Sequence, residues 1–431
     1  SMLSENIERN AGGHLTFAGF DVSKLAAKYG TPLYLMDEQR VRDNCRMYAD
    51  AFRKGFGDKG KVLYASKAAA FKQMYRIVAE EGLGADVVSA GEICTAAAAG
   101  FPMENVYFHG NAKTDEDIRF AISQHVGYFV ADNVEELMSI SREAGRAGVR
   151  QEVLLRVTPG IDPHTYAAVN TGMVDSKFGV AIETGQAEEF VRLALAQKNI
   201  DVRGLHCHVG SQVFDEDVYE RSSVIMIGFM DKLRRELGIV LPELDMGGGY
   251  GVQYLESGKK ADIHGRIIEL AGYMKAQFEK LDYPLPAVIM EPGRSLVADA
   301  GMTVYTAVSV KEIPGYKNYV AIDGGMTDNP RYALYQAEYT VLNETERGEQ
   351  QVFDLVGRCC ESDDIIQPAV RLNSDTKRGD LIAVCTTGAY NYSMASNYNR
   401  IPRPPVVMLS AKGDYIAVRR ETNEDIINLD V

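Results

Sequence analysis

Lys67 closes the segment Val62-Leu63-Tyr64-Ala65-Ser66-Lys67, a short apolar run that ends in a single amine. An amine at the end of a buried strand can be desolvated. Desolvation disfavours the ammonium, lowers its pKa and makes the nitrogen a nucleophile able to condense with a carbonyl. On this segment alone, a solvated loop lysine is the ordinary explanation. Later apolar runs, however, also end in groups that could do chemistry. Asp86 stands in Gly84-Ala85-Asp86-Val87-Val88-Ser89, and His109 and Arg156 lie at the ends of two more runs. Gly204-Leu205-His206-Cys207-His208-Val209-Gly210-Ser211 ends in an imidazole, a glycine and a hydroxyl. Leu244-Asp245-Met246 leads into Gly247-Gly248-Gly249-Tyr250-Gly251, and Ala287–Met290 leads into Glu291-Pro292-Gly293-Arg294.

Each of these segments has two readings. The glycine run can form a concave nest of N–H groups for an anion, or a plain tight turn. It does not follow the dinucleotide-binding pattern of glycines with a later acidic residue. His206 and His208 share one face of a strand and could form a zinc pair. Alternatively His206 packs in the core, His208 lies flat against a planar ring and Ser211 holds an anion. A metal site needs more ligands, and of the seven histidines only His109 is also well placed, so no metal is expected. Glu291, fixed by Pro292, could meet a buried cation such as a protonated pyridine nitrogen. Arg294 offers a planar fork for a carboxylate or phosphate. Taken alone, those two residues read as a surface ion pair. Together the groups suit a planar, phosphorylated aldehyde with a ring nitrogen, which is the description of pyridoxal 5'-phosphate.

The elements that must position these groups alternate. Candidate strands are 33–36, 62–65, 85–88, 106–108, 128–130, 153–157, 204–207, 243–246 and 287–290, with helical spacing over 92–99, 135–144 and 217–237. Strands alternating with helices imply a parallel sheet. Eight or nine such units over roughly 260 residues suit a closed (β/α)8 barrel of the TIM type, with an open doubly wound sheet as the alternative. After residue 295 the runs 302–310, 319–322, 352–356, 381–386, 406–409 and 415–418 are β-rich and closely spaced. The expected fold is α/β plus all-β. The barrel covers residues 33–295, and a mostly antiparallel β-sandwich or small barrel comprises 1–32 and 296–431.

Composition narrows the function classes. The chain is 46% hydrophobic and 25% charged, which argues against long disordered tracts. A net charge of -14 disfavours a nucleic-acid surface, which needs a basic face. No apolar run approaches the roughly 20 residues of a membrane span, so neither nucleic acid nor membrane is an expected partner. The first residues carry no basic and apolar export signal. The six cysteines are scattered without a C-x-x-C pair, the pattern of a reduced, cytoplasmic protein. If the adjacent pair Cys359-Cys360 lies on a strand, its side chains face opposite ways.

The order of these motifs resembles the barrel-type pyridoxal-phosphate decarboxylases, fold type III, and most closely the diaminopimelate decarboxylase family, over nearly the whole chain. The resemblance implies an alanine-racemase-type barrel with a C-terminal β domain, working as a homodimer with shared active sites. It implies that Tyr64-Ala65-Ser66-Lys67 carries the cofactor lysine and that Asp86 lies near the cofactor. His208 would stack on the ring, Ser211, Gly249, Gly293 and Arg294 would hold the phosphate, and Glu291 would pair with the ring nitrogen. Arg331 and Tyr335, with Arg294, look like substrate-carboxylate residues. Cys360-Glu361-Ser362 is similar to the segment that enters the partner's site, with Cys360 as proton donor and Glu361 binding substrate. Tyr390, in Gly388-Ala389-Tyr390-Asn391, resembles a tyrosine that touches both cofactor and substrate. Ala69 and Arg358 depart from the family pattern. The implied reaction takes a small amino acid, meso-2,6-diaminopimelate, to L-lysine and CO2. Carboxynorspermidine, D-lysine or D-ornithine are the alternative substrates.

Overall fold

The computed structural model describes residues 2–160, 177–208 and 217–431. Eight parallel strands form a closed ring: β1 (Gly60–Ala65), β2 (Gly84–Val87), β3 (Val106–Phe108), β4 (Tyr128–Ala131), β5 (Gln151–Thr158), β6 (Ile200–His206), β7 (Glu243–Asp245) and β8 (Ala287–Met290). Closure is made where β8 pairs with β1, Met290 opposite Val62. The expected barrel is thus observed, and the open-sheet alternative is not. Parallel strands covered on both faces read as continuous apolar runs, which is why 62–65, 106–108 and 128–130 stood out. Leu63, Tyr107, Val130, Leu154 and Ile289 fill the interior and are buried. Each such side chain stabilises the fold by about 1.5–3 kcal/mol.

Helix starts are set by short polar caps. Ser89 accepts from the Glu92 N–H at the start of Ala90–Ala98, Thr114 forms a capping box with Asp117, and Asn133 caps Val134–Ala147. Lys113 pins the loop that follows β3. Its Nζ donates to the carbonyls of Gly110 (2.9 Å) and Val130 (3.0 Å) and to Glu136 Oε2 (3.0 Å). The two charged side chains are only 2% and 3% exposed, so breaking the pair would leave an uncompensated buried charge. At the opposite end of the barrel, buried Glu243 takes Lys61 (3.0 Å), Arg203 (3.3 Å) and the Tyr107 hydroxyl (3.2 Å).

The barrel belongs to a unit of residues 44–251 and 260–295, and a second unit comprises 1–43, 252–259 and 296–431. One sequence expectation is corrected here. Leu33–Asp37 is not a barrel strand; it lies in the second unit between Gly301–Ile313, to which it is antiparallel, and Val406–Ser410, to which it is parallel. The boundary therefore moves from 33 to 44. Every residue of that strand is buried, and a fully buried run looks the same in either kind of sheet. The second unit is mostly antiparallel, as expected, with Lys317–Ile322 and Gln350–Val356 as a further parallel pair. Val341–Asn343 and Ile365–Asn373 are additional strands outside the candidate runs. The first thirty residues add a small three-stranded sheet and the helix Val22–Tyr29, whose Val22 and Leu25 pack with Leu33, Met302 and Val407. Among the described residues no helix is long and apolar enough to cross a membrane.

Gly204 lies opposite Glu243 where β6 meets β7, and a Cβ there would stand 1.9 Å from the Glu243 carbonyl oxygen. Gly204→Ala must push two barrel strands apart. We expect a loss of about 2–3 kcal/mol, read as a lower urea midpoint at unchanged m-value. An unchanged midpoint would contradict this packing.

Candidate active site

Lys67 sits in the single turn Ser66–Ala68 directly after β1. Ser66 Oγ donates to the Asp86 carbonyl (2.8 Å) and receives the Tyr75 hydroxyl (2.8 Å). Tyr64 donates to the Ala69 carbonyl (2.7 Å). These bonds tie the turn to β2 and to its own strand, so the lysine is presented from a fixed backbone. The sequence reading asked for a desolvated amine. The structure instead leaves Lys67 exposed, because it stands at the open mouth, beyond the last buried residue of β1.

Inside the mouth, five strand ends converge. Glu291 Oε1 lies 2.6 Å from His109 Nε2, and Oε2 lies 3.2 Å from His206 Nε2. Asp86 Oδ1 is 3.8 Å from His109 Nε2. It is buried without a hydrogen-bond partner among the described groups, as is Asp245 Oδ2. Burial pushes Asp86 up to about 7, with His109 opposing and Glu291 reinforcing the shift. Burial and the nearby Glu291 hold Asp245 well above the usual carboxylate range. Burial acts on Glu291 in the same direction, but His109 and His206 outweigh it and hold Glu291 well below its ordinary value. Burial lowers His206 to about 4, so the ring is neutral and carries its proton on the nitrogen facing Glu291. His109, His206, Asp245 and Glu291 offer ligand atoms within 4.8 Å of one another, close enough for a metal. Both imidazole nitrogens facing the centre are, however, already hydrogen-bonded to Glu291.

Gly247 has φ +77° and Gly249 φ +122°, both in the left-handed region that favours glycine. A Cβ on Gly248 would stand 2.0 Å from the Glu291 carbonyl oxygen, and one on Gly247 2.9 Å from His208 Nδ1. Close approach of β7's loop to β8 therefore demands glycine, whatever else the run does. His208 is partly buried. Burial, then Arg156 and Lys67, lower it well below its ordinary pKa and leave a neutral ring. Gly293 would press a Cβ to 3.0 Å from the Ala65 carbonyl, and Arg294 is buried. Ser211 lies outside the described residues.

The second unit gathers the rest. Arg331 opens the short helix Arg331–Tyr335, and its guanidinium carbon lies 4.5 Å from the Tyr335 ring centre and 5.3 Å from that of Tyr390. Its Nε is buried without a hydrogen-bond partner among the described groups. Tyr390 is held at φ +60°. Cys360 and Glu361 are exposed on a loop, not a strand, while Cys359 is buried. The Cys360 N–H donates to Asn399 Oδ1 (2.8 Å), and the Tyr398 hydroxyl lies 3.4 Å from Glu361 Oε2. Two buried aspartates brace these loops. Asp364 accepts from the N–H groups of Cys359 (2.9 Å) and Met326 (2.7 Å), joining the cysteine loop to the one that leads to Arg331. Asp328 accepts from the Gly325 N–H (3.1 Å) and the Tyr305 hydroxyl.

The barrel thus brings Lys67, Asp86, His208, Gly249, Glu291 and Gly293 to one end, and the second unit brings Arg331, Tyr335 and Tyr390 together. Sequence reading gave no role to Asp245, Asp364 or Asp328. The available signal was a carboxylate inside or beside an apolar run, which is costly to bury unless it is used.

Comparison with known proteins places the chain among relatives. The family described as pyridoxal-dependent decarboxylase, pyridoxal binding domain, matches residues 38–298. The diaminopimelate decarboxylase of Bacillus subtilis (strain 168) is 42% identical over 98% of this chain and 96% of its own length. That of Staphylococcus aureus (strain COL) is 40% identical over 98% and 99%. The structure of diaminopimelate decarboxylase from M. jannaschii with L-lysine superposes with a TM-score of 0.93 at 34% identity, covering 100% of this chain and 99% of that one. The lysine/ornithine decarboxylase of Vibrio vulnificus complexed with putrescine gives a TM-score of 0.76 at 25% identity, over 90% and 97%.

Asp364→Ala leaves two buried N–H groups without an acceptor. We expect it to cost roughly 2–4 kcal/mol in chemical denaturation followed by circular dichroism. A variant as stable as the parent would show that Asp364 does not brace the two loops.

Proposed function

The chain belongs to the pyridoxal-dependent decarboxylases, in the group of the diaminopimelate decarboxylases, and from that premise we propose that it converts meso-2,6-diaminopimelate to L-lysine and CO2. The observation that carries the reading is the near full-length likeness to the Bacillus subtilis enzyme, at 42% identity, against 25% for the lysine/ornithine decarboxylase.

The residues at the barrel mouth suit pyridoxal phosphate. Glu291 is a buried carboxylate favoured in its ionised form, as a protonated ring nitrogen requires. The buried, unpartnered Asp86 Oδ1 offers an acceptor beside it, and the glycine run frees backbone N–H groups for a phosphate. On this reading Lys67 holds the aldehyde end and His208 the ring face. Ser211, Gly249, Gly293 and Arg294 hold the phosphate, and Tyr390 touches cofactor and substrate. When bound, the cofactor supplies an electron sink for the pair left behind as the carboxylate departs. Glu291 keeps that sink effective by countering the positive ring nitrogen. Arg331 carries an unpartnered buried Nε and is flanked by Tyr335 and Tyr390. With Arg294 and Tyr335 it takes the carboxylate at the far end of the substrate. A substrate without that second carboxylate has no need of such a cation. Glu361 takes the far ammonium, and Cys360 returns a proton to the α-carbon.

The exposed loop of Cys360 and Glu361 supports a homodimer in which each site is completed by Cys360 of the partner subunit. A reduced, cytoplasmic setting is the one we infer, supported by six free thiols.

Steady-state assays with diaminopimelate, lysine, ornithine and carboxynorspermidine test the specificity. Turnover of diaminopimelate above the others is expected, and turnover of ornithine alone would overturn the reading. Lys67→Ala should lose the visible absorbance of the lysine-bound cofactor and drop turnover by about a thousandfold or more; normal decarboxylation would remove Lys67 from its role. Mixing Cys360→Ala with Lys67→Ala should restore activity in the hybrid dimers that hold one intact site. No recovery would show that each site is built from a single chain.

A further inference from the structure

The hydrogen bonds in the barrel mouth extend past the residues assigned above to the cofactor. Glu291 receives one imidazole nitrogen on each oxygen, His109 Nε2 at 2.6 Å and His206 Nε2 at 3.2 Å. The two rings meet edge to face with centroids 4.8 Å apart, and all three side chains are buried. A carboxylate has about four acceptor positions. One N–H on each oxygen stops rotation about the last side-chain bond and leaves acceptor positions for another donor. Asp245 lies in the same cluster and is favoured as the neutral acid, while Glu291 is favoured as the anion. Two adjacent carboxyls pushed in opposite directions mark one of them as the charge holder. Of the neighbouring charged groups, Asp86 acts on Asp245 and Arg156 on His206.

We propose that His109 and His206 are positioning residues that aim the Glu291 carboxylate at the ring nitrogen of pyridoxal phosphate. The inference rests on the assignment of Glu291 to that nitrogen. Both histidines act through Glu291. Without them the carboxylate is free to turn toward Asp245, and the negative charge leaves the line of the ring nitrogen.

The test compares two ligands on apoprotein by equilibrium dialysis: pyridoxal phosphate, and the analogue with carbon in place of the ring nitrogen. His109→Leu should weaken pyridoxal phosphate by about tenfold or more, the loss expected for a charge-assisted contact. It should bind the analogue as the wild type does, because the analogue has no nitrogen to meet. His109→Gln, which keeps a donor at similar reach, should recover most of the affinity. Equal weakening of both ligands, or of neither, overturns the proposal. Should His109→Leu not fold, His206→Leu is read the same way on the other carboxylate oxygen. A wild-type protein that forms no borohydride-reducible adduct at Lys67 would instead remove the cofactor assignment itself, an outcome separate from any difference between the variants.

Discussion

An ionised carboxylate buried inside a barrel is the constraint on which the rest of this structure depends. Moving such a charge out of water costs several kcal/mol unless partners are waiting. Glu291 finds them in His109 and His206, 182 and 85 residues away in sequence. Along the sheet, His109 just past β3 lies three strands from β8 on one side, and His206 on β6 lies two strands away on the other. At about 4.8 Å per strand, a flat sheet would hold them about 14 and 10 Å off. Only a closed ring brings both to one carboxylate. The same closure sets β1 beside β8 and so brings the turn of Lys67 to the rim on which Glu291 lies. Fold and site are therefore one requirement.

Much of this was legible because parallel strands leave a strong local mark. Apolar runs ending in Lys67, Asp86, His208 and Glu291 marked both the barrel and the end of it at which these groups lie. What was not legible depended on contacts far apart in the chain. Leu33–Asp37 is as buried as any barrel strand, and only its pairing with Gly301–Ile313 and Val406–Ser410 tells which sheet it joins. Ile365–Asn373 has no continuous apolar run, because Pro368 interrupts it and the polar residues Gln367 and Asn373 take buried positions. The structure accommodates the proline with a register shift and Ala369 at φ +52°. The glycine run was read as a nest or a turn. The 2.0 Å clash at Gly248 adds a third reason, the closeness of two strand ends, which no local reading of glycines supplies.

The two units solve different problems with the same device. In the barrel, one buried acid, Glu291, is held in its ionised form. In the second unit, buried acids hold loops whose tips are exposed. Asp364 shows how tight the second arrangement is, since a Cβ at Gly325 or Gly357 would come within 2.5 or 2.3 Å of its oxygens. Those glycines are needed so that one carboxylate can reach N–H groups on both loops. The exposure of Cys360 and Glu361 is then compatible with a defined position, because the backbone beneath them is hydrogen-bonded even where the side chains are not enclosed.

Selectivity on the proposed reading follows from the same rigidity. Arg331 lies against two tyrosine rings, with a buried Nε that has no partner among the described groups. A guanidinium held this way has already lost much of its rotamer freedom before a substrate arrives, so less is lost on binding. A distal carboxylate satisfies the unpaired donor. A substrate lacking that carboxylate leaves the donor unpaired in a partly enclosed site, and sites built around a polar contact reject ligands that lack it far more strongly than apolar pockets reject a missing methylene. On this reading Arg331 is the main discriminator between a diacid and a diamine precursor, because the diamine precursor brings no second carboxylate to its unpaired donor.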